Sequence, residues 1–108
     1  MTPQPHDTIF RTLADPSRRA IFERLCREGE QTVAALTAGA GISQPAVSKH
    51  LAILKHAGLA HDRQAGRQTY YSADLSALAP LADWTRQMTG FWESRFEALE
   101  DLLKRMDQ

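Results

Sequence analysis

A chain of 108 residues with 43% apolar side chains has enough material for one domain with a small core. It contains no run of the roughly 18 apolar residues a membrane span needs, its first residues, MTPQPHDTIF, lack the basic flank and apolar block of a secretory signal, and its single cysteine, Cys26, excludes an internal disulfide and fits a reducing cytoplasm. Thirteen basic and thirteen acidic side chains cancel overall, yet residues 1–72 hold nine Lys/Arg against six Asp/Glu, and residues 73–108 hold four against seven.

Residues 1–6 are expected to form a flexible N-terminus. A short helix fits Asp7–Ala14, with Ile9, Phe10 and Leu13 on its apolar side, and Ala14-Asp15-Pro16 ends it. Pro16 opens a second helix with Asp15 as its N-cap. Its apolar stripe is Ala20, Ile21, Phe22, Leu25 and Cys26, so Cys26 reads as a buried structural thiol, and Gly29 follows the last turn. Thr32 can cap a third helix whose Val33 and Leu36 face inward, and Gly39-Ala40-Gly41 breaks it.

The fourth helix lies in GISQPAVSKHLAILKHAGL. Ser43 is a good N-cap and Pro45 sits in the first turn, where its missing N–H costs little. Val47, Leu51 and Leu54 repeat at helical spacing and face the core. Gln44, Ser48 and Lys55 fall within about 40° of one another on the side away from Val47 and Leu54, with Lys49 next to that stripe. Gly58 closes the helix. Two short runs, Ala60–Gln64 and Arg67–Ser72, then flank Ala65-Gly66 as a β-hairpin. From Asp74 the chain is helical to Met106, with Pro80 either in the first turn of the main helix or kinking a longer one.

These elements make a fold that is mainly α with a small β-hairpin: one winged helix-turn-helix domain over residues 1–108. The helix-turn-helix spans 32–57, the wing 59–72, and a long C-terminal dimerisation helix 74–106. The stretches DPSRRAIFERL, ISQPAVSKHLAILKHAGL and DRQAGRQTYYS resemble the ArsR/SmtB family of small dimeric repressors over about residues 8–72. The tail FWESRFEALEDLL is similar to the branch of that family without the usual metal ligands. Two departures stand out. Thr37 occupies a place where relatives commonly carry Ala, and Gly39 weakens the helix before it.

A helix reads the major groove by presenting short polar or basic side chains near its N-terminal end. Gln44 suits a bidentate contact to adenine, Ser48 suits either base type, and Lys49 can reach guanine or a phosphate. Ser43 and Pro45, at the helix start, would lie near the DNA backbone. His50 lies nearer the core-facing side, where packing and phosphate contact are both open. The resemblance implies that the wing, with Arg63 and Arg67, reaches phosphates or the minor groove. Arg18 and Arg19 are either backbone contacts or solvated.

Apolar residues recur along the last helix at steps of three and four: Trp84, Met88, Phe91, Trp92, Phe96, Leu99, Leu102, Leu103 and Met106. A small domain is not expected to cover so long a stripe alone, so the favoured reading is a homodimer through this helix together with Phe10 and Leu13 of the first; the other readings are a core helix of the monomer and a ligand pocket lined by Trp84, Phe91 and Trp92. The third helix has no Cys, the last has no His, and the four histidines do not share a metal spacing, so no metal site, cofactor or catalytic constellation is expected. The expected function is a sequence-specific DNA-binding regulator, a repressor, acting on double-stranded DNA as a homodimer at an inverted repeat. The sequence names no effector. The rival readings are a winged-helix module that binds protein and a metal- or thiol-responsive repressor with an atypical site.

Overall fold

The computed structural model describes residues 2–107. In chain order it holds α1 (Pro5–Leu13), α2 (Pro16–Glu28), β1 (Gln31–Thr32), α3 (Val33–Ala38), α4 (Gln44–His56), β2 (Ala60–Ala65), β3 (Gln68–Ala73), a 3-10 turn (Leu75–Leu78) and α5 (Ala79–Met106). The mainly helical winged helix-turn-helix architecture is the one expected.

Side-chain caps set the starts of three helices. Asp15 accepts the Arg18 N–H at 3.0 Å, Thr32 the Ala35 N–H at 3.1 Å, and Ser43 the Ala46 N–H at 3.3 Å. Two arginines close the other end of α1. Arg18 Nε donates to the Thr12 carbonyl and Arg19 Nη1 to the Leu13 carbonyl, satisfying groups that a helix end leaves unpaired. Arg24 does the same for α3 by donating to the Leu36 carbonyl at 3.1 Å. Gly39 makes room for that arm: a Cβ there would sit 2.9 Å from Arg24 Nη1.

α4 ends in a Schellman motif. The Leu59 N–H reaches the Leu54 carbonyl, the Gly58 N–H reaches the Lys55 carbonyl, and Gly58 has φ 80°. The motif turns the chain directly into β2 and buries Leu54 and Leu59 together. The core is formed by Ile21, Phe22 and Leu25 of α2, Leu36 of α3, Val47, Leu51 and Leu54 of α4, and Leu59 and Ala60 at the root of the wing. α4 is thereby held from behind, and its outer face is left to solvent.

Several expectations are corrected. The sheet has three antiparallel strands in the order β1-β3-β2, because Gln31 and Thr32 pair with Tyr71 and Tyr70. α1 begins at Pro5, two residues before the expected Asp7, with the Gln4 N–H bonded to the Asp7 carboxylate at 2.7 Å. Cys26 is exposed and not a buried thiol, since no element packs over its side of the last turn of α2. Partial desolvation raises its thiol pKa, which disfavours the reactive thiolate. Ala20 is exposed as well. Pro80 falls in the first turn of α5, so that helix is continuous from Ala79.

α5 projects from the body. The radius of gyration is 20.1 Å and the longest dimension 75 Å, against a radius of about 13 Å for a compact chain of this length. No helix is long and apolar enough to cross a membrane among the described residues.

Candidate nucleic-acid interface

Ser43, Gln44, Pro45, Ser48 and Lys49, at the start of α4, are all exposed, while Val47, Leu51 and Leu54 of the same helix are buried. Ser43 Oγ accepts the capping bond from Ala46, which leaves its O–H as a donor at the helix start. His50 is half-buried, and its Nδ1 is enclosed without a hydrogen-bond partner. The imidazole therefore packs inward more than the side chains around it. It also lies near Asp15, whose carboxyl is held below its usual range first by the Arg18 backbone N–H and in lesser part by the charge of His50.

The wing is a two-residue hairpin. Ala65 pairs with Gln68, and Gly66-Arg67 make the turn. Gly66 has φ 63° and no other residue type has a positive φ among the described residues, which is the type II′ pattern that suits strand twist. Arg67 is thus carried at the tip, exposed.

Ion pairs divide the basic residues of this region. Lys55 Nζ lies 3.0 Å from Asp62 Oδ1. Arg63 donates from Nε and Nη2 to the two Glu30 carboxylate oxygens at 2.8 and 2.6 Å, and its guanidinium carbon lies 4.8 Å from the Tyr70 ring centroid. The Arg63 hydrogen bonds hold the Glu30 carboxyl below its ordinary range. Lys49 and Arg67 have no ion-pair partner among the described residues. Of the two wing arginines expected at DNA, Arg67 therefore stands free at the tip, and Arg63 is engaged midway along β2. Arg18 and Arg19, left open by the sequence, are engaged at the end of α1. Sequence reasoning did not single out Glu30, because its partner is 33 residues away and no local pattern links them.

The residues expected at a subunit interface fall into two groups. Leu13 packs on the core of its own chain. Phe10 and Trp84 meet edge to face at 5.0 Å, with His6 against both, and so join α1 to the root of α5 within one chain. Trp84 and Met88 are half-buried there. Beyond them every residue from 91 to 107 is exposed, and Phe91, Trp92, Phe96, Leu99, Leu102, Leu103 and Met106 are each at least half accessible, 50–72%.

Residues 13–63 match the family described as a helix-turn-helix domain. The chain is 43% identical over 90 residues to the HTH-type transcriptional regulator Rv2034 of Mycobacterium tuberculosis, covering 79% of this chain and 83% of that one. It is 33% identical over 78 residues to the transcriptional repressor SdpR of Bacillus subtilis, covering 72% and 86%. The crystal structure of the ArsR family transcriptional regulator RHA00566 superposes with a TM-score of 0.75 at 30% identity, covering 87% of this chain and 96% of that one. These relatives are named as regulators of transcription, and none of the three names describes an enzyme.

Proposed function

The chain belongs to the ArsR/SmtB family of DNA-binding winged helix-turn-helix transcriptional repressors, and we propose that it acts as a homodimer on an inverted-repeat operator. Each subunit lays α4 in a major groove. Gln44 and Ser48 face base edges, Lys49 reaches guanine or phosphate, and Ser43 and Pro45 lie at the backbone. Arg67 reaches the backbone from the wing.

The observation that carries this reading is the division of α4. Val47, Leu51 and Leu54 are fully buried and fix the helix, while Gln44, Ser48 and Lys49 are exposed, and Lys49 and the wing-tip Arg67 have no ion-pair partner among the described residues. Dimerisation rests on the seven exposed apolar side chains of α5, a surface that water does not tolerate on a stable monomer. A second copy covers it by symmetry, since one apolar stripe is complementary to itself across a two-fold axis.

A salt titration tests the DNA reading. Each neutralised phosphate contributes about 0.9 to the fall of log affinity with log salt. Arg67 from two subunits therefore contributes a slope of about 1.8, which rises to about 3.6 where Lys49 also meets phosphate. A protein-binding module would show no site-selective DNA binding at any salt.

A further inference from the structure

Three consecutive residues of β2 are each tied by a polar side-chain contact to a different part of the chain. His61 Nε2 lies 2.7 Å from Asp74 Oδ2, at the entry to the 3-10 turn. Asp62 meets Lys55 at the end of α4. Arg63 grips Glu30, one residue ahead of β1.

The Arg63 pair is the best formed of the three. Its two hydrogen bonds, at 2.6 and 2.8 Å, reach different oxygens of one carboxylate, the bidentate geometry that arginine forms most strongly. The guanidinium also lies over the Tyr70 ring. Its Nε and one terminal nitrogen are already engaged, so a phosphate would have to displace Glu30 to be gripped in the same way. Glu30 leads through β1 into α3 and hence into the helix-turn-helix, so the pair braces the wing against the body that carries α4.

We propose that Arg63 is a positioning residue, not a phosphate contact, and that the Glu30–Arg63 bridge fixes the wing relative to α4 so that Arg67 and Gln44 meet the same stretch of DNA. The proposal rests on the DNA-binding reading above and adds to it a division of labour within the wing.

The sign of the Glu30 effect separates the two roles. The full-length protein is titrated against a duplex selected from random DNA by the wild type, and against a mixed-sequence duplex. A positioning bridge requires Arg63→Ala, Glu30→Ala and the double variant to weaken specific binding by the same several-fold factor. The salt slope then stays within about 0.3 of wild type, and Arg63→Lys fails to restore affinity because lysine cannot hold both oxygens in one plane. Glu30→Gln, which keeps the shape of the side chain, gives a milder loss of the same sign, and thermal melts confirm that the variants are folded. Arg63 is a phosphate contact, and the proposal fails, if Glu30→Ala tightens binding or if Arg63→Ala makes the slope shallower by about 1.8, one contact from each subunit, with rescue by lysine. Additive losses, or no change in any variant, overturn it as well. If the wild type itself lacks site-selective, salt-dependent binding, the DNA reading has failed and the proposal falls with it; the wild-type control reports that case separately.

Discussion

Gln44 and Arg67 are both exposed polar side chains, yet they carry different information. Gln44 sits at the start of α4, where its amide can pair with two atoms of one adenine edge. Gln44→Ala should cost about 1–3 kcal/mol and relax preference at a single base pair. Arg67 stands on a turn, and a lone cation there meets phosphate whatever the sequence. Arg67→Ala should weaken all duplexes about equally and make the salt slope shallower by about 1.8, since both subunits lose the contact. Competition binding against single-base variants of the selected site measures both. A uniform loss for Gln44→Ala would reassign it to the DNA backbone.

Three carboxylates fix a pH limit at the same scale. Asp15 is held below its ordinary range first by the Arg18 backbone N–H, Glu30 by the Arg63 hydrogen bonds, and Asp74 by the Ser76 side chain and then His61. A depressed carboxylate adds stability that is present above its unfolded pKa and lost as pH falls through the folded one. Stability should therefore be insensitive to these groups near neutrality and decline as pH drops below about 4. Urea unfolding across acid pH, compared with Glu30→Gln, should show a shallower decline in the variant.

At the scale of elements, the helix boundaries are where local chemistry was sufficient. Asp15, Thr32 and Ser43 cap α2, α3 and α4 as their side chains suggest, because capping needs only a residue and the N–H three places on. Gly58 ends α4 for an equally local reason, its φ of 80°. Gly58→Ala should destabilise the domain by about 1 kcal/mol, read as a shift in the urea midpoint, because alanine in that conformation is strained. The features that were not legible depend on distant partners. β1 is two residues long and exists through Tyr70 and Tyr71, far along the chain. Arg63 looks like any wing arginine until Glu30 is brought to it. Phe10 and Trp84 fit the apolar pattern of a dimer contact, and no local pattern shows that they also meet each other edge to face within the chain. Cys26 follows the helical period of Phe22, and only the layout of the other elements leaves it uncovered.

The whole molecule is a small body with a long projecting helix. α5 spans about 42 Å at 1.5 Å per residue, and its outer half has no intramolecular cover. Deleting residues 91–108 removes seven large apolar side chains from the proposed interface. Full burial of each would contribute about 1.5–3 kcal/mol, an upper bound because each will be only partly covered. The body's core lies in α2, α3, α4 and the wing root, so the truncated chain should sediment as a monomer with its helix-turn-helix residues intact. Its operator affinity should fall by orders of magnitude, whereas Gln44→Ala stays dimeric and loses only sequence preference. A folded dimer after truncation would move the interface to α1, where Phe10 is 41% exposed.

Two copies of α4 reading one duplex is the central requirement, and footprinting on DNA selected from random sequence tests it most directly. A two-fold dimer predicts two half-sites of inverted sequence, with centres about 10 base pairs or a multiple of that apart, protected at two chains per duplex. A single, non-palindromic half-site protected by one chain would contradict it.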